Sequence, residues 1–170
     1  MTESKEKRTA TEEKIVFENS QGTRIVGILH APEKPTPVVV VTAHGLAANK
    51  ERPRLRRLAE ALAGEGIAAL RIDFGGSGES DEREITIAAE VDDLQSAIEE
   101  VKNRGYKNIG LVGESLGAIV SLLTCSEDVD AMVLWAPVTV AKDEEAGLSD
   151  EQKKELAQKG QAPKIRPVNT

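Results

Sequence analysis

The sequence predicts an α/β fold: a doubly wound, mostly parallel sheet preceded by an N-terminal hairpin. Three observations carry this. Apolar runs of strand length alternate with helical periodicities, in the order strand, helix, strand, helix, strand, helix, strand. The strand candidates are unbroken runs of Val, Ile, Leu and Ala, as strands covered on both faces require. Two shorter segments joined by the turn signal "SQG" come first.

The hairpin is expected over Ile15–Glu18 and Arg24–His30. The β-branched run Val38–Thr42 is the first buried strand. A helix follows, with Pro53 in its first turn, Leu55, Leu58, Ala59, Leu62 and Ala63 on one face, and Gly66 as its stop. "IAALRIDF" is the next strand and "GGSGES" a loop. The clearest periodic signal is Ile87, Val91, Leu94, Ile98 and Val101, which step by four and three; Asp92, Asp93, Glu99 and Glu100 lie off that stripe, and Gly105 ends the helix. "NIGLVG" is a short strand, Ser115–Thr124 a helix apolar on most sides, and "AMVLWAPV" the last strand.

Three regions are therefore expected: a flexible polar tail over 1–13, a core over 14–140, and a lid-like or irregular polar segment over 141–170. In the last, Ser149 and Gln152 form a capping box for a helix to about Lys159, with Leu156 and Ala157 its only core candidates.

With 170 residues the chain can bury one real core. Its 22 Lys and Arg against 29 Asp and Glu leave a net charge of −7, which argues against nucleic acid or an anionic membrane as partner. The charges are spread out and read as solvated surface. The single cysteine, Cys125, excludes an internal disulfide and reads as a small buried apolar residue. The first residues lack the apolar stretch of a secretory signal, and no apolar run is long enough to span a bilayer. A soluble cytoplasmic protein without metal or cofactor is the expectation.

The chemistry concentrates at "LVGESLGA", residues 111–118. Ser115 follows a strand and opens a helix, the context that the G-x-S-x-G pattern of a serine nucleophile requires. Gly113 and Gly117 let the turn be tight and the neighbouring elements approach. The first amides of the new helix can stabilise negative charge. "AHGLAANK" follows the strand Val38–Thr42 and faces the same crevice, so the amides of Leu46 and Leu116 can form an oxyanion hole. His44, in that loop, reads as a bracing residue, and His30 as structural. No histidine follows Ser115.

At these residues the chain resembles the α/β-hydrolases, and among them small serine esterases of the feruloyl and cinnamoyl type and the related serine aminopeptidase-like hydrolases. "GILHAP", "VVVVTAHGLAANKE", "ALRIDFGGSGESD" and "IGLVGESLGAIVSLL" carry the likeness over about residues 13–140, and "VLWAPV" fits the strand that follows. The resemblance implies a partial α/β-hydrolase fold. It makes Ser115 the nucleophile, Leu46 and Leu116 the oxyanion donors, His44 a brace and Asp73 a structural loop aspartate. A small ester is the implied substrate. There are departures. Gly76 and Ser77 stand where the family usually has a basic residue and a histidine, and Ala118 where a second glycine is common. Two strand–helix units that deliver the acid and the base follow in the family, at roughly 30 residues per unit. On this reading the sheet is truncated after its sixth strand; Asp143 is the sole acid candidate.

Three functions are weighed. One is a carboxylic ester hydrolase with elbow and oxyanion loop but no triad histidine in this chain, weak or inactive alone. The alternative is a non-catalytic α/β-hydrolase scaffold for binding or assembly. The third is an enzyme that uses the same turn differently, for instance an acyltransferase, which would still lack its base. In each case the uncharged strand Ala131 to Val138 is left as an edge, through which a homo-oligomer is expected.

Overall fold

The N-terminal hairpin forms, and it is longer than its apolar residues indicate. A computed structural model describes residues 10–124 and 126–137. In it β1, Thr11–Glu18, pairs antiparallel with β2, Arg24–Ala31, from Thr11 opposite Ala31 to Glu18 opposite Arg24. Thr11, Glu12 and Glu13, expected in a flexible tail, are therefore strand residues. They carry little apolar signal because β1 is an outer strand whose side chains are mostly in water; only Ile15 is buried.

β3, Val38–Ala43, leads through α1, Pro53–Gly64, to β4, Ala68–Asp73. α2, Ile87–Asn103, β5, Asn108–Glu114, α3, Leu116–Thr124, and β6, Ala131–Trp135, complete the order. The six strands lie in the order β1-β2-β4-β3-β5-β6. β3 pairs parallel with both β4 and β5, and β5 parallel with β6. Every residue of β4 is buried, which is why its sequence shows no alternation.

The chain leaves β3 toward β4 and returns across it to β5. Strand order reverses between β3 and β5, and in open α/β sheets the crevice above such a switch point is where ligands bind. Ala43 lies opposite Gly113, so the loops after β3 and β5 emerge side by side.

The main core joins Val39, Val41, Leu70 and Ile72 to Ile87, Val91, Leu94, Ile98 and Val101 of α2 and Val120 of α3. α1 packs on β4 and β2 and contributes nothing to that cluster, so it covers the other face of the sheet. Leu55, Ala59 and Ala63 are its buried stripe; Leu58 and Leu62 are only half-buried. Gly66 and Gly105, at φ 89° and 94°, stop α1 and α2 as their positions suggested. Thr86 caps α2 by accepting the amide of Ala89.

Two expectations about charge are corrected. Lys50, Arg71, Asp73, Glu90, Asp93 and Glu114 are buried rather than solvated. Asp93 is fully enclosed, although it lies off the apolar stripe of α2. It is satisfied there: Asn19 Nδ2 donates to Oδ1 at 2.7 Å, and the Gly75 amide to Oδ2 at 2.8 Å, with Arg83 on the same oxygen. The last strand also ends early, at Trp135, where Ala136 turns to φ 48°. Val138, Cys125, Asp143 and the helix expected after Ser149 lie outside the described residues.

Candidate active site

β5 runs directly into α3 with one residue between them, and that residue is Ser115. Its φ is 55°, the left-handed region that a non-glycine residue enters at a cost of order 1–3 kcal/mol. The two glycines of the motif make this turn possible. A Cβ on Gly113 would collide with the Gly117 carbonyl and the Ala118 backbone. One on Gly117 would collide with the Ala43 and His44 carbonyls. The amide of Ser115 donates to the Trp135 carbonyl at 2.9 Å, which ties the elbow to β6. Ser115 Oγ has no hydrogen-bond partner among the described residues.

Against this elbow lies the loop after β3. A Cβ on Gly45 would stand 3.1 Å from Ser115 Cβ and 3.2 Å from the Glu114 carbonyl, so the close approach depends on glycine here. Gly45 to Ala48 form a turn closed by Ala48 N–H to Gly45 O at 3.2 Å, with Ala47 at φ 53°. Leu46 stands in that turn, 60 % exposed. Neither its amide nor that of Leu116 has a partner among the described residues. Leu116 is the first residue of α3, where an amide has no intrahelical acceptor.

His44 is buried, and both its ring nitrogens are engaged. Nδ1 donates to the Gly45 carbonyl at 2.9 Å, and Nε2 accepts the Phe74 amide at 3.1 Å. This pairing assigns the neutral Nδ1–H tautomer. Burial lowers its pKa, against the opposing pull of the Gly45 hydrogen bond. The ring meets Phe74 edge-on at 4.9 Å. It braces two loops. His30 lies at the opposite end of β2's pairing with β4, where Nε2 accepts from Arg71 Nε at 2.9 Å; burial and Arg71 lower its pKa.

Three polar devices escaped the sequence reading in whole or part. Lys50 and Asp73 clamp the site's loops together. Asp73 Oδ1 accepts the Lys50 amide at 2.6 Å, Oδ2 accepts Lys50 Nζ at 2.6 Å and the Glu79 amide at 2.8 Å, and Lys50 Nζ also reaches Glu79 at 2.6 Å. Burial pulls the Lys50 ammonium down, but its bonds to Asp73 and Glu79 outweigh this and leave its pKa raised. Lys14 and Lys50 hold the Glu79 carboxyl at about 2. Arg71 donates to the Lys50 carbonyl from beneath. The third device is Glu114, beside Ser115: its buried carboxylate accepts Arg54 Nη1 at 3.0 Å and Arg52 Nε at 3.3 Å. Only Asp73 is singled out in the sequence, by the resemblance, as a structural loop aspartate; it is instead the last residue of β4. A charged residue in a loop looks the same in sequence whether it is solvated or enclosed.

The described residues hold no group of His, Cys, Asp and Glu arranged for a metal, and no helix long and apolar enough to cross a membrane.

The family model described as serine aminopeptidase, S33, matches residues 34–165. No curated protein matches the chain. Among solved structures, the fold is similar to an esterase of Pyrococcus furiosus, at 22 % identity and TM-score 0.69, over 75 % of this chain and 53 % of that one. It is similar to Est1E of Butyrivibrio proteoclasticus with ferulic acid bound, at 19 % identity and TM-score 0.72, over 82 % of this chain and 61 % of that one. An α/β serine hydrolase homologue from Coxiella burnetii gives 22 % identity and TM-score 0.70, over 79 % and 67 %. The chain thus spans about half to two thirds of the length of these proteins.

Proposed function

We propose, since this chain belongs to the serine aminopeptidase S33 family, that it carries the nucleophile half of a serine hydrolase acting on small carboxylic esters. The observation that carries the reading is Ser115 itself. A non-glycine residue at φ 55°, with an unpartnered hydroxyl, sits where two glycines permit the closest approach of β5, α3 and the loop after β3. Such strain persists where the surrounding structure over-determines it, and it clusters at working sites. A scaffold kept only for binding has no need of it.

In the reaction Ser115 Oγ attacks the ester carbonyl, its proton passes to a base, and the amides of Leu46 and Leu116 receive the charge that develops on the carbonyl oxygen. Helix α3 adds the positive end of its dipole at the same place. The base is not among these 170 residues. Both histidines of the sequence, His30 and His44, precede the serine, and each ring already accepts a hydrogen bond on Nε2. On this reading the imidazole comes from outside these 170 residues.

The chain alone is therefore expected to hydrolyse p-nitrophenyl acetate no faster than its Ser115→Ala form. In a hydrolase triad, loss of the histidine costs on the order of 10⁶ in kcat. Co-expression with the C-terminal strand–helix units of a related full-length esterase is expected to restore turnover that depends on Ser115. A Ser115-dependent kcat near ~10 s⁻¹ in the chain alone would show that the base lies within it. A folded, inactive complex would remove the nucleophile role.

A further inference from the structure

Among the described residues, the end of β5 beside Ser115 brings two cations to one carboxylate. Arg52 and Arg54 both turn to the single carboxylate of Glu114, one residue before the nucleophile. Two cations meet one anion in a molecule whose net charge is −7. The carboxylate is buried, whereas the two guanidiniums are half-exposed, at 50 % and 52 % of their side-chain surface. Each spends one N–H on Glu114 among its five, so donors remain that face water. Glu114 anchors the arginines without exhausting them.

Trp135 completes the arrangement. It lies opposite Glu114 in the β5–β6 register, and its carbonyl accepts the amide of Ser115. Arg54 stands over its ring, 4.7 Å from the centroid. A guanidinium stacked on an indole and braced by a carboxylate is held in one orientation, with less rotamer freedom left to lose when a further anion binds. Trp135 is 40 % exposed, and Leu46 stands exposed in the loop packed against Ser115. Apolar surface and oriented cations thus flank the turn that holds Ser115.

We infer that Arg52, Arg54 and Trp135 form a subsite for a carboxylate on the substrate, so that the esters taken are those with a short arm ending in a carboxylate. This rests on the reading of Ser115 as the nucleophile. The planar guanidinium fork matches a carboxylate in two-point contact, and the indole covers the apolar carbons between carboxylate and ester.

The test uses the whole chain and the emission of Trp135, its one tryptophan. Monomethyl succinate, an anion, is expected to change that emission saturably. Dimethyl succinate, its neutral counterpart, should bind at least about tenfold more weakly. Because losing Arg54 alters the indole's surroundings directly, the variants are measured by calorimetry. Arg52→Gln with Arg54→Gln should weaken binding by roughly tenfold or more; Arg52→Gln alone, which keeps the stack, should give a smaller loss and carries the test if the double variant does not fold. Equal affinity for the two succinates, or unchanged affinity in the folded arginine variants, overturns the subsite. Ser115-dependent turnover in the complemented complex tests the nucleophile separately, so either reading can fail while the other stands.

Discussion

Glu90 shows how one residue can set a pH dependence. It is a first-turn residue of α2, buried, with Oε2 unpartnered among the described residues. Burial, and then the charge of Asp93, push its pKa up from 4.5 to about 8, while Arg83 opposes them. A carboxyl raised in the folded state costs nothing while both states are protonated. As pH rises above about 4.5 the unfolded chain loses its proton and the folded chain keeps it, so stability falls until about pH 8. Glu90→Gln removes the titration. It is expected to match the parent near pH 4 and to exceed it by about 5 kcal/mol above pH 8, as read by urea unfolding at several pH values. A difference that does not change with pH would mean that Glu90 is ionised in the fold.

At the scale of elements, the loop after β3 holds its place through Asp73 more than through its own sequence. Asp73 accepts from the Lys50 and Glu79 amides and from the Lys50 ammonium, so it joins residues 44–52 to residues 75–80. Removing it leaves a buried ammonium and two amides short of an acceptor. Asp73→Ala is expected to cost about 3–5 kcal/mol, measured as a lowered urea midpoint with an unchanged slope. Lys50→Met added to Asp73→Leu should recover little of this, because the two amides still lack their acceptor. Full recovery by that pair would show that the clamp acts by charge alone. The hairpin teaches a related lesson. Seven of the eight residues of β2 are buried or half-buried, while β1 pairs with it out to Thr11.

For the whole molecule, the consequence of the sheet order is its outer strand. β6 pairs only with β5 among the described residues. It carries no charge, and Val133 and Trp135 are 57 % and 40 % exposed. An uncharged apolar edge is a template for another strand, and we propose self-association through it. Size exclusion with light scattering is expected to show a dimer or larger species, with Val133→Lys shifting it toward monomer. A monodisperse monomer at roughly tens of micromolar, unchanged by that substitution, would count against pairing through β6.

The element order and the strand-to-helix turn at Ser115 were legible because each rests on local pattern. A buried strand needs an apolar run, an amphipathic helix its stripe, and a tight turn its glycines at fixed spacing. Within these 170 residues the sequence also places both histidines ahead of the serine. Only the tertiary structure decided which charges are enclosed. Asp93, Glu90, Lys50, Arg71 and Glu114 resemble surface residues in sequence, since burial of a charge depends on partners far away in the chain: Asn19 for Asp93, Arg52 and Arg54 for Glu114. Desolvation is a property of the surroundings, and those exist only once β3 and β5 lie side by side and bring Gly45 against Ser115.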